Sequence, residues 1–127
     1  MSDTVEKLLQ KGVEFHQLGQ AEFASQIYKA ILAAQPHHSD ANYNMGLLAI
    51  GSGQIEAGLI FLETALEANA DNAMYWISYI DVLLEIGRID DAQAVFDQAK
   101  LNGAKGEGFD KLEQKLKHCR GKVLEVN

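Results

Sequence analysis

Cysteine occurs once in this 127-residue chain, as Cys119, and proline once, as Pro36. A lone cysteine excludes an intramolecular disulfide and fits a reducing compartment, so a cytoplasmic location is expected. With proline so scarce, the 11 glycines must make most of the breaks between elements. No run of about 18 apolar residues exists, so no membrane insertion is expected. Met1-Ser2-Asp3-Thr4-Val5-Glu6 has neither the basic start nor the apolar core of a secretory signal. Positive charge is short too: 11 Lys and Arg stand against 18 Asp and Glu, a net of −7. From Ser39 to Ala99, Arg88 alone faces ten carboxylates, a net of −9, whereas Lys105 to Asn127 carries six basic and four acidic residues, a net of +2. Phosphate-backbone binding needs Lys and Arg to replace counterions, so no nucleic-acid partner is expected.

What the chain does have is a repeat. Gly19, Gly53 and Gly87 stand 34 residues apart, and so do Tyr28, Leu62 and Phe96. The same step joins Ala24, Gly58 and Ala92, then Ile31, Ala65 and Ala99, then Ala21, Ile55 and Ile89. Pro36 is followed at this interval by Ala70 and Ala104. The Tyr28 column stays large, the Ala24 column stays small, and the turn glycine does not move.

Each unit reads as two helices. Leu8, Leu9, Gly12, Phe15 and Leu18 recur at the spacing of one helical face. Asp3 and Glu6 have the spacing of a capping box. Gly19-Gln20 stops that helix, and a second runs from about Glu22 to Ala34 with Phe23, Ile27, Tyr28 and Ile31 inside. The pattern repeats over about Asp40 to Gly51 and Glu56 to Ala68, then Asn72 to Ile86 and Asp90 to Leu101. Gly12, Gly46 and Gly58 within helices imply close helix approach, since each costs about 1 kcal/mol against Ala. No strand is expected within residues 1–104.

This pattern resembles the tetratricopeptide repeat (TPR), a 34-residue helix–turn–helix unit. Trp76 matches the family's tryptophan, Gly12 and Gly46 its first-helix glycine, and Phe15 the aromatic one turn later. Ala92, Phe96 and Ala99 match the second-helix series, which is softened to Gly58, Leu62, Ala65 and to Ala24, Tyr28, Ile31. The third unit departs with Ile80 at the glycine position, and the closing proline stands only at Pro36. The resemblance implies an all-α, right-handed helical-repeat solenoid of three units, about 5–38, 39–72 and 73–104.

After Leu101 the pattern changes. Residues 102–108 form a glycine-rich link, and Phe109, Leu112 and Leu116 then share a helical face. A repeat stack leaves its last apolar face open, so a capping helix over about 107–119 is expected, covering Val95 and Ala99. Together these make one domain, 1–119. Residues 120–127 read as a tail, disordered or leading into a further domain.

Catalytic and metal chemistry find little support. Lys105 in the glycine-rich link lacks the preceding strand and following Ser or Thr of a phosphate loop. His37, His38 and Asp40 have no partner pair at ligand spacing, and His118-Cys119 diverge on a helix. No serine has a His–acid pairing nearby in sequence. No enzyme activity, cofactor or metal is expected.

In the family, the first helices line a concave groove that takes peptides. Carried onto this sequence, the resemblance implies a groove formed by Leu9, Val13 and His16 in the first unit. The second gives Tyr43, Asn44, Leu47 and Ile50, and the third gives Met74, Ile77, Asp81, Leu84 and Glu85. Its floor is apolar and its walls are acidic, with Asp40 at the rim. Co-chaperone members clamp a peptide's terminal carboxylate with Lys, Arg and Asn. The matching positions here are Leu9, Val13, Asn44, Met74 and Ser78, of which only Asn44 agrees, so carboxylate capture is not expected. The expected function is protein–protein binding as a scaffold or adaptor, with a protein or peptide partner carrying apolar and basic residues. Two other readings stand beside it. One is a docking segment of a larger bacterial glycosyl-, sulfo- or methyltransferase. The other is a homo-oligomer formed through the groove.

Overall fold

The computed structural model describes the backbone of residues 2–126 and the side chains of residues 4–121. Among the described residues there are seven helices and no strand. They are α1 (Ser2–Gln17), α2 (Ala21–Ala34), α3 (Ser39–Gly51), α4 (Ile55–Ala68), α5 (Ala73–Glu85), α6 (Ile89–Leu101) and α7 (Glu107–Val126). The chain folds as two compact units, Met1–Asn69 with α1 to α4 and Ala70–Asn127 with α5 to α7. None of the helices is long and apolar enough to cross a membrane, among the described residues.

One turn is used three times inside the hairpins. Gly19, Gly53 and Gly87 have φ of 78°, 87° and 81°, a region costly for any residue with a Cβ. The residue after each glycine closes the helix end. Gln20, Gln54 and Arg88 donate their N–H groups to the carbonyls of Phe15, Ala49 and Leu83 at 2.8, 2.8 and 2.9 Å. This six-residue closure is the Schellman cap, and it uses carbonyls that the helix would otherwise leave bare.

The connections between hairpins are held differently. His38 Nδ1 accepts the Ala41 N–H at 3.1 Å and caps α3, and Asn72 Oδ1 accepts the Met74 N–H at 3.0 Å and caps α5. Asn42 is buried, and its Nδ2 donates to the carbonyls of Pro36 and His38 at 3.1 and 2.9 Å. At the same repeat position, the indole N–H of Trp76 donates to the Ala70 carbonyl at 2.7 Å. Two unlike side chains thus do one job, tying the turn to the helix that follows it.

In the first unit the core is built around Ala24, Tyr28, Met45 and Leu48, flanked by Leu9, Phe15, Leu32 and Phe61. Small residues set the helix spacing there. A Cβ on Gly12 would stand 2.6 Å from the Tyr28 ring, and one on Gly46 would stand 3.0 Å from the Gly58 carbonyl oxygen. In the second unit α5 and α6 pack together, and they carry the buried Tyr75, Ile80, Leu83, Ala92, Phe96 and Ala99. α7 packs on both of these helices and buries Phe109, Leu112 and Leu116.

Several expectations are corrected. α1 begins at Ser2, so Asp3 lies within the helix rather than ahead of it as a cap. Leu18 lies beyond α1 and is 72% exposed, and Phe23 is 55% exposed, so neither belongs to the core. Helical phase explains Phe23: it stands about 100° around α2 from the buried Ala24. α7 continues to Val126, through the tail's residues 120–126 and past Gly121, which extends the glycine series by another 34 residues without ending the helix. The side chains of residues 122–127 lie outside the described residues.

Candidate peptide-binding surface

α1 and α3 lie in contact within the first unit. Each packs against its second helix, α2 or α4, and the expected ligand-facing residues form a half-covered shoulder, of which Leu9 also packs on the Ala24–Tyr28–Met45–Leu48 cluster. Leu9, Val13 and His16 on α1 are half-buried, as are Tyr43, Asn44, Leu47 and Ile50 on α3. None of the seven is fully covered, while Gly12, Met45, Gly46 and Leu48 between them are buried. Their immediate neighbours fix them. The His16 ring meets Tyr28 edge-on, with centroids 6.4 Å apart. Ile50 lies against Gly58, where a Cβ would stand 2.4 Å from Ile50 Cγ1. Asn44 Nδ2 donates to the Asp40 carbonyl at 2.9 Å, an arrangement internal to α3.

In the second unit α5 carries Met74, Ile77, Asp81, Leu84 and Glu85, and α7 changes what they present. Met74 is 55% exposed. Ile77 lies against Gly108 of α7, where a Cβ would meet Ile77 Cδ1 at 2.7 Å. Lys115 of α7 pairs with Asp81 at 2.9 Å. Asp81 was expected as an acidic wall, and its carboxylate is instead partly neutralised from within the unit. Leu84 and Glu85 line a cleft of about 250 Å³ together with Asp81, Lys115, His118 and Cys119. The contribution of α7 to this side of α5 was missed by reasoning on first helices alone. The 34-residue step was its signal, since Ala73 plus that interval is Glu107, the first residue of α7.

His38 is a helix cap. Among the described residues, no group of three or more His, Cys, Asp or Glu side chains could hold a metal ion. Burial pushes the Tyr28 hydroxyl up to about 12, and that hydroxyl has no hydrogen-bond partner. It lies in the core beneath α1 and not at the exposed shoulder.

Helical hairpins of 34-residue period, closed by left-handed glycines and keyed by small residues, define the class of helical-repeat proteins. The tetratricopeptide repeat family model matches residues 15–78, and the chain belongs to that family. No curated protein matches it. Among solved structures, the chain is similar to the type III secretion translocator chaperone SycD of Yersinia enterocolitica. The identity is 18% and the TM-score 0.82, over 97% of this chain and 88% of that one. SycD in complex with a peptide of the translocator YopD is matched at 18% identity and a TM-score of 0.78, over 100% and 98%. The first TPR domain of Spaghetti (RPAP3), bound to an HSP90 peptide, is matched at 14% identity and a TM-score of 0.76, over 92% and 96%. At these identities the likeness is one of fold.

Proposed function

We propose that this chain is a protein-interaction module, and that the α1–α3 shoulder of the first unit is a docking surface for an apolar peptide segment with basic residues. The observation that carries this is the row of half-exposed apolar side chains, Leu9, Val13, Tyr43, Leu47 and Ile50, on two adjacent first helices. Apolar side chains gathered at a surface by rigid helices favour a partner that buries them. The charge supports a basic ligand, because α3 and α4 carry Asp40, Glu56, Glu63 and Glu67 and no Lys or Arg. Two of the similar structures hold a peptide, which accords with this use of the fold.

The test is a fluorescence-anisotropy titration with a labelled amphipathic peptide of alternating leucine and lysine, together with an all-glutamate counterpart. The Leu-Lys peptide is expected to bind and the glutamate peptide is not. Leu47→Ser is expected to weaken binding about tenfold, the effect of one lost apolar anchor. Gln26→Ser on the exposed side of α2 is expected to change nothing. Raising salt is expected to slow association more than it speeds release. Equal binding by Leu47→Ser, with its helix content intact, rejects this surface.

A further inference from the structure

The two hairpins of the first unit use the same side of their first helix differently. On α3, Ala41, Met45, Leu48 and Ala49 are all buried. Met45 and Leu48 share a cluster with Ala24 and Tyr28 of α2, and Phe61 of α4 packs against it. In the second hairpin, then, this side receives a helix, α2. One period back, the same positions are Lys7, Lys11, Glu14 and Phe15 on α1 and Ile27 on α2. Lys7, Lys11 and Glu14 are exposed, and Phe15 and Ile27 are half-buried. Phe23 extends this surface at its edge. It is 55% exposed, and its ring stands 5.4 Å from that of Phe15. Its counterpart Ala57 is small and exposed, so hairpin packing does not require an aromatic there.

We infer that this side of the first hairpin docks an amphipathic helix of a partner protein, apolar where it meets Phe15, Phe23 and Ile27 and acidic where it meets Lys7 and Lys11. The fold itself argues for a helix, since α2 already lies on the equivalent side of α3. Charge then selects the kind of helix. Where α3 offers Ala41 and Met45 to its neighbour, α1 offers two ammonium groups. A wholly apolar helix laid there would bury those cations unpaired, at high cost, whereas carboxylates opposite them complement the charge. Glu14 offsets one of the two lysines, which leaves this side cationic in a unit whose α3 and α4 carry four carboxylates and no base. Spacing follows from the helix rise: Lys7 stands about 12 Å along α1 from Phe15, and Lys11 about 6 Å. The ligand helix therefore carries its carboxylates one to two turns along from its apolar anchors, on the same face. This surface is distinct from the α1–α3 shoulder, because Leu9, Val13 and His16 stand about 100–160° around α1 from Phe15.

The test is an anisotropy titration of the full chain with a labelled helix-forming peptide. Its alanine background carries leucines three and four residues apart at one end and glutamates one to two turns along the same face. A second peptide has lysine for each glutamate. The glutamate peptide is expected to bind, and the lysine peptide to bind this side at least about tenfold more weakly. Phe23→Ser is expected to weaken the glutamate peptide about tenfold, and Lys11→Glu about fivefold at low salt, both with helix content unchanged. Leu47→Ser, on the α1–α3 shoulder, is expected to bind it as the wild type does. No binding of the glutamate peptide, or binding indifferent to both Phe23→Ser and Lys11→Glu, overturns the inference. Loss of binding in Leu47→Ser overturns it too, by moving the peptide to the other shoulder. Should Phe23→Ser lose helix content, the exposed Lys11→Glu decides alone. Sedimentation velocity of the protein without peptide covers the remaining occupant: a dimer that Phe23→Ser dissolves would give this side to a second copy and overturn the partner helix.

Discussion

At the scale of single residues, Tyr28 carries a cost that its neighbours impose. Its ring fills the space left by Gly12, and its hydroxyl is buried without a partner. An unmet buried hydroxyl costs about 1–3 kcal/mol, whereas a shape-preserving apolar replacement does not. Tyr28→Phe is expected to raise stability by about 1 kcal/mol in urea unfolding. The raised ionisation gives a second readout. A group whose folded value lies above its unfolded one, here about 12 against 10, contributes fully below pH 10. That contribution is lost as pH climbs towards 12, because the unfolded chain ionises first. Alkaline unfolding between these values is therefore expected to be shallower in Tyr28→Phe, followed by circular dichroism. Asn42 is the opposite case, a buried amide that meets two carbonyls at once. Asn42→Leu is expected to lose about 1–3 kcal/mol, since the turn carbonyls of Pro36 and His38 then lack their donor.

At the scale of elements, the tightest joint is that of α3 and α4. A Cβ on Gly58 would lie 2.9 Å from the Gly46 carbonyl oxygen as well as against Ile50. Gly58→Ala would gain about 1 kcal/mol of helix propensity, yet overpacking against backbone costs about 1–3 kcal/mol. We expect net destabilisation and, because Ile50 must shift, weaker binding of the leucine-lysine peptide. Equal melting temperatures for the two proteins would show that the joint relaxes. Much of this scale was legible beforehand. The glycine turns, the two-helix unit and the small–large columns all follow from a 34-residue step, because one helical hairpin is one period of the packing. What escaped was whatever depends on which neighbour arrives. Phe23 reads as core by its apolar character, but it points to a side where no described helix stands. Asp81 reads as a free carboxylate until α7 brings Lys115 to it. The site residues were legible as positions on first helices, and their degree of cover was not, since cover is a property of the adjoining helix.

At the scale of the molecule, the two units can be followed separately. Trp76 is the only tryptophan, and it belongs to the second unit, where it lines a pocket with Phe109. A chain ending at Leu101 loses α7 and uncovers the apolar surface over α5 and α6. Its tryptophan emission is expected to shift to the red, its Trp76-detected unfolding to occur at lower denaturant, and its solubility to fall. An unchanged midpoint would show that α7 contributes no stability. The ion pairs of α7, Lys115 with Asp81, Lys100 with Glu113 and Arg120 with Asp90, are exposed, so high salt alone is expected to lower that midpoint only slightly.

The helix pairings inside each unit join elements no more than two apart in order, α1 with α2 and α3, and α5 with α6 and α7. Contacts of such short sequence separation close small loops, and the entropy lost in closing a loop rises with its length. Folding can therefore keep pace with synthesis. Once residues through Asn69 have left the ribosome, every partner of the Tyr28 cluster is already present, and the first unit can bury its apolar surface before the C-terminal helices exist.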